Sequence, residues 1–110
     1  AWSGGERNGS TFVQDALASS GIVVVSIDFR LAPEHPYPAQ VVDTNFAIRW
    51  LKAHAEEFRA HPQAIGGMGS SSGGHTVMLA ALRPRDEQYG VRPLPEALEI
   101  DASLAFLILR

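Results

Sequence analysis

The stretch Gly69-Ser70-Ser71-Ser72-Gly73 fits the pattern G-x-S-x-G, and the chemistry that pattern serves is nucleophilic attack by its central serine. A hydroxyl is a weak nucleophile until a base takes its proton, and the oxyanion formed by attack needs backbone N–H donors close by. The spacing has a steric reason. A serine held out at the tip of a tight turn needs neighbours with almost no bulk, and glycine supplies close approach together with unusual backbone angles. Ser71 is the candidate nucleophile, and the turn that carries it has to join a strand to a helix.

The flanking sequence reads in that way. Residues 64–68 form a short strand, and after Ser72 a helix runs through Thr76, Val77, Leu79, Ala80 and Leu82 until Pro84 stops it. Upstream, Pro38 or Ala39 opens the clearest helix. Val42, Phe46, Trp50 and Ala53 recur there at i, i+4, i+8 and i+11, while Asp43, Arg49, Lys52 and Glu56 lie off that line. This helix is expected to pack on the sheet through Phe46 and Trp50. Residues 22–27 are an unalternating β-branched run, the pattern of a central strand covered on both faces, and residues 103–109 are a second such run. Ser10 caps a short helix with Phe12, Val13, Leu17 and Ala18 on one face, and Gly21 ends it.

The Gly- and Ser-rich residues 1–10 read as loop. In residues 28–38, Pro33, Pro36 and Pro38 forbid regular structure. The charges of that loop, Asp28, Arg30 and Glu34, are read as pairing with each other and with backbone to hold its shape. Residues 83–99, rich in proline and charge, are expected to be a surface connection. The order helix, strand, helix, strand, helix, strand predicts an α/β three-layer sandwich with a parallel sheet of three strands, in one domain.

Two other readings use the same turn, and the spacing alone leaves them open. Gly67, Gly69 and Gly73 make a glycine-rich strand-to-helix turn that can cradle a pyrophosphate at a helix N-terminus. The spacing is not G-x-G-x-x-G, no strand ends in an acidic residue about 20 positions on, and no lysine follows as in a P-loop. The plainer reading is a structural turn whose serines cap the helix.

Of the four histidines, His75 sits one turn into the helix, where its ring does not align with the elbow tip, so it is read as packing or lining the site wall. His35, His54 and His61 read as surface or capping residues, and no HxH or HExxH cluster marks a metal site.

The 110 residues, 45% hydrophobic and 19% charged, suit one small globular domain. A net charge of -3, with no basic run, points away from nucleic acid and from membrane surfaces, and the apolar run at 102–109 is too short to span a bilayer. The absence of cysteine excludes disulfides and thiolate ligands. No signal-peptide pattern precedes the first element, and the expected location is cytoplasmic. No cofactor is expected. An N-terminus without Met and an end at Arg110 directly after an apolar run suggest a piece of a longer chain.

Two motifs together carry a family resemblance. Residues 28–39, DFRLAPEHPYPA, closely resemble the DYRLAPEHPFPA signature of the hormone-sensitive-lipase-like esterases, a branch of the α/β-hydrolase fold. Residues 69–75, GSSSGGH, resemble that family's GDSAGGN elbow, and both stand in the family's order and separation. The resemblance extends over the whole chain and implies the central part of one α/β-hydrolase domain, acting on a small-molecule ester. It implies Ser71 as nucleophile, the backbone N–H of Ser72 as one oxyanion donor, and acyl transfer through an acyl-enzyme with water as the second acceptor. Ser70 departs from the family's usual acidic residue. The family's His-Gly-Gly oxyanion loop falls just before Ala1-Trp2, and Gly4-Gly5 is not that loop. The triad Asp and His fall beyond Arg110, so Asp101 is not assigned to the triad, and the strand that separates residues 22–27 from residues 64–68 in that fold falls upstream of Ala1. These residues alone are expected to be inactive. A non-catalytic relative serving as a binding module is a further alternative.

Overall fold

Proline and glycine mark the element boundaries, and the tertiary arrangement follows from what lies between them. The computed structural model describes residues 23, 25, 37–69 and 72–109. The helix expected near residues 10–21, the loop charges Asp28, Arg30 and Glu34, and His35 lie outside the described residues. So does the strand expected at 22–27, apart from Val23 and Val25, each close to half exposed where cover on both faces is expected.

Helix α1 (Ala39–Ala53) opens directly after Pro38, whose carbonyl accepts from Val42 N–H at 2.9 Å. It closes at His54, whose N–H donates to the carbonyls of Trp50 and Leu51. The expected apolar line is only a flank of the packed face. Phe46 and Trp50 are partly exposed, and the apolar residues that α1 buries are Val41, Val42 and Ile48. The aromatics are covered instead by polar neighbours: the Arg92 guanidinium lies 4.4 Å from the Phe46 ring centroid, and the His54 ring stacks on Trp50 at 4.3 Å. Among the described residues the helix packs chiefly against the second helix.

Several buried polar groups of α1 are bonded within the protein. Thr44 Oγ1 donates to the Gln40 carbonyl at 2.9 Å. Arg49 Nε donates to Asn45 Oδ1 at 2.7 Å, and its Nη2 donates to the Arg92 carbonyl at 2.6 Å. Burial, reinforced by the nearby Arg92 charge, lowers the Arg49 pKa.

Strand β1 (Gly66–Gly69), helix α2 (Ser72–Leu82) and strand β2 (Phe106–Leu109) form a β-α-β unit with β1 and β2 parallel and in register, Gly66 opposite Phe106 and Gly69 opposite Leu109. A parallel pair needs such a crossover. The α/β character expected from the sequence is present, with two parallel strands and two α-helices among the described residues. A 3-10 turn at Pro62–Ala64 occupies the place where the strand was expected to begin. Phe106, Ile108 and Leu109 keep about half their surface, although an unalternating run predicts cover on both faces. Among the described residues α2 is the helix that packs on the pair.

Residues 83–99 run mostly along the surface, as their composition suggests, but send Tyr89, Leu94 and Ala97 into the core. Tyr89 and Leu94 are each 2% exposed, and Tyr89 joins Val41, Ile48, Ala80 and Ala102 in one buried cluster. Burying side chains of this size stabilises by about 1.5–3 kcal/mol each. The charges of the segment turn outward or pair, as in Arg92 Nη1 with Asp43 Oδ1 at 3.3 Å, while Tyr89, Leu94 and Ala97 turn in and Val91 and Leu98 stay exposed. The Tyr89 hydroxyl meets the Tyr37 hydroxyl at 2.6 Å, and that hydrogen bond together with burial pushes the Tyr89 pKa up to about 12. No helix among the described residues is long and apolar enough to cross a membrane.

Candidate functional site

The elbow is bracketed by described residues. β1 ends at Gly69 and α2 begins at Ser72, with Ser70 and Ser71 between them in the sequence. Ser70 and Ser71 themselves lie outside the described residues, as does the side chain of Ser72. The turn is tight because the start of the helix folds back on the end of the strand. A Cβ on Gly69 would lie 2.6 Å from the carbonyl carbon and oxygen of Gly73 and from the amide nitrogen of Gly74. No real Cβ tolerates such contacts with backbone, so the first glycine of the pattern is a packing requirement. The second is different: a Cβ on Gly73 would meet nothing within 4 Å among the described residues.

The same geometry bears on the phosphate-cradle reading. A Cβ on Gly67 would lie 2.9 Å from Val77 Cγ1 and from Leu104 Cδ1, so the space beside this glycine is filled by the protein's own side chains. Gly67 and Gly69 therefore serve the approach of strand to helix, and of the three glycines Gly73 alone has no described residue beside its α-carbon.

Ser72 opens α2 and carries the candidate oxyanion N–H. The first four N–H groups of a helix have no partner within it, and the helix dipole places partial positive charge there. Such a group next to a nucleophile suits an oxyanion. His75 follows one turn on and is exposed rather than packed.

The other described histidines are engaged elsewhere. His54 Nδ1 donates to the Trp50 carbonyl at 2.7 Å, and His61 Nδ1 accepts from Gln63 N–H at 3.0 Å, capping the 3-10 turn. The capping expected of His61 is present, and His54 closes the end of α1. No group of three or more His, Asp or Glu side chains among the described residues is placed to hold a metal ion.

Asp101 is tied into a knot of hydrogen bonds leading into β2. Its Oδ1 accepts from Ser103 Oγ at 2.6 Å, from Ser103 N–H at 3.0 Å and from Lys52 Nζ at 3.1 Å, and its Oδ2 accepts from Arg85 Nε at 2.9 Å. Lys52 Nζ also donates to the carbonyls of Asp101 and Ser103 and to Ser103 Oγ at 2.9–3.1 Å. These bonds, with that from the Ser103 hydroxyl the largest influence, hold the carboxyl well below the usual carboxylate range despite its burial. An acid so held in the anionic form anchors the end of α1 and the segment after α2 to the lead into β2. Sequence reading does not find this knot, since Lys52 and Asp101 are 49 positions apart.

Comparison with known proteins matches the chain, over residues 1–104, to the protein family described as BD-FAE. Among curated proteins it is 39% identical over 97 residues to esterase LipC of Mycobacterium tuberculosis, covering 87% of this chain and 24% of that one. It is 36% identical over 90 residues to the probable carboxylic ester hydrolase LipM of the same organism, covering 81% and 21%. An arylesterase of Saccharolobus solfataricus is 35% identical over 85 residues, covering 73% and 28%. The chain thus spans about a fifth to a quarter of the length of the first relatives it matches. No solved structure matches it.

Proposed function

The chain belongs to the BD-FAE family and to the hormone-sensitive-lipase-like esterases, and on that premise we propose that it carries the nucleophile, Ser71, of a carboxylic ester hydrolase. The observation that supports this most directly is the close packing of the start of α2, at Gly73 and Gly74, on the Gly69 α-carbon at the end of β1. A turn of that shape presents a side chain at its tip and leaves the first N–H groups of α2 beside it.

In the proposed reaction the Ser71 hydroxyl attacks the ester carbonyl while a base removes its proton, and the Ser72 N–H donates to the oxyanion. Collapse expels the alcohol and leaves an acyl-enzyme, which water then cleaves to return the free serine and a carboxylic acid. The substrate is a small-molecule ester. The base and its orienting acid are the His and Asp that the family resemblance puts beyond Arg110, and His54 and His61 are already engaged in closing α1 and capping the turn that follows. The 110 residues assayed alone are expected to give no turnover.

The test is a short-chain chromogenic ester assayed with the full-length protein and with Ser71→Ala. Loss of about 10³-fold or more in kcat is expected, because removing the nucleophile of a triad leaves only binding and the oxyanion donors. Activity retained in Ser71→Ala would overturn the assignment.

A further inference from the structure

We propose that Tyr37 and Tyr89 form a hydroxyl latch that positions the entry of α1 on the core shared with the elbow helix α2; its effect on turnover, though not the latch itself, rests on the reading of Ser71 as nucleophile. These are the chain's two tyrosines, 52 positions apart, and they meet hydroxyl to hydroxyl at 2.6 Å with their rings edge to face, 6.2 Å between centroids. Tyr37 stands two residues before α1. Tyr89 lies in the cluster with Val41 and Ile48 of α1 and Ala80 of α2, so its hydroxyl connects the first turn's approach to the layer in which both helices meet. The esterase signature resembled by residues 28–39 has Phe where this chain has Tyr37. The Tyr37 hydroxyl finds its partner in a segment outside the signature.

The two ends of the latch are unequal. Tyr89 is 2% exposed and Tyr37 is 54% exposed. Removing the Tyr37 hydroxyl leaves the buried Tyr89 hydroxyl without an acceptor or a donor, which carries the full cost of its desolvation. Removing the Tyr89 hydroxyl leaves Tyr37 at the surface, where water replaces the lost bond. Removing both replaces a polar pair by two apolar rings of nearly the same shape, a change that is close to neutral. A raised Tyr89 pKa agrees with a phenol held in its protonated form by this partner.

The test compares wild type, Tyr37→Phe, Tyr89→Phe and the double variant of the full-length protein. Folding equilibria come from urea denaturation, and kcat and KM for a short-chain chromogenic ester are measured at a temperature where all four are folded. Tyr37→Phe is expected to lower the folding constant by roughly 5- to 100-fold, Tyr89→Phe by less, and the double variant is expected to be more stable than Tyr37→Phe alone. Turnover of the folded proteins follows the same order, lowest in Tyr37→Phe, with KM hardly moved. The proposal is overturned if Tyr37→Phe is as stable as wild type, if the two losses simply add, or if wild type hydrolyses the ester and kcat is the same in all four. A wild-type protein that shows the stability order but hydrolyses no ester supports the latch and overturns the reading of Ser71.

Discussion

Gly69 and Gly73 face each other across the elbow so closely that a Cβ on Gly69 would sit 2.6 Å from the Gly73 carbonyl carbon and oxygen, whereas a Cβ on Gly73 would touch nothing within 4 Å among the described residues. Two glycines at equivalent places in a sequence pattern are thus unequal in the fold, because only one has its missing side chain replaced by rigid backbone. Gly69→Ala is expected to destabilise by about 3 kcal/mol and to displace the turn. Gly73→Ala, in the first turn of α2, is expected to leave stability unchanged or raise it by up to about 1 kcal/mol. Thermal melts of the two variants read the difference. Loss of activity in a fully stable Gly73→Ala would assign that open side to the substrate.

Residues 83–99 supply a second contrast. Leu94, 2% exposed, is expected to cost about 2–5 kcal/mol on replacement by Ala, while Leu98, 76% exposed, is expected to change stability by less than about 0.5 kcal/mol. Denaturant midpoints check both values.

Asp101→Asn removes a carboxylate that accepts from Ser103, Arg85 and Lys52, and is expected to destabilise by about 1–2 kcal/mol at neutral pH, after allowance for screening at a partly exposed group. The folded-state pKa of Asp101 is depressed, so its contribution is complete above the unfolded value of 3.8 and is lost as pH falls toward the folded value. The stability gap between wild type and Asp101→Asn should therefore close below pH 3.8. Denaturation curves at several acidic pH values would show whether it does.

Tyr89 behaves in the opposite sense. Its folded pKa is raised from 10.0 to about 12, first by the hydrogen bond with Tyr37 and then by burial. The stability this provides is complete below pH 10 and is lost as pH rises through about 12. Ultraviolet absorbance of the phenolate, followed on raising pH, should show a tyrosine titrating late in wild type, with an earlier onset in Tyr37→Phe.

The site was readable in the sequence to a definite depth. The pattern around Ser71, its place between a strand and a helix, and the stop at Pro84 are all local features, and β1 and α2 stand where those features put them. What could not be read was where each side chain would be spent. His61 was legible as a cap because its partner, Gln63, is two residues away. The role of Lys52 was not, because its partners lie about 50 positions on.

By itself, then, the sequence determined the candidate nucleophile, the helical character of residues 39–53 and 72–82, and the parallel pairing of strands around α2. These follow from periodicity, proline and glycine, whose effects act within a few residues. Only the tertiary structure decided that Val41 and Ile48 make the inner line of α1 while Phe46 and Trp50 sit under Arg92 and His54. It alone brought Tyr89 and Leu94 into the core from a segment that reads as surface, and made Asp101 an anchor. Burial and ion pairing depend on partners far along the chain, and neither composition nor spacing records which partner will arrive.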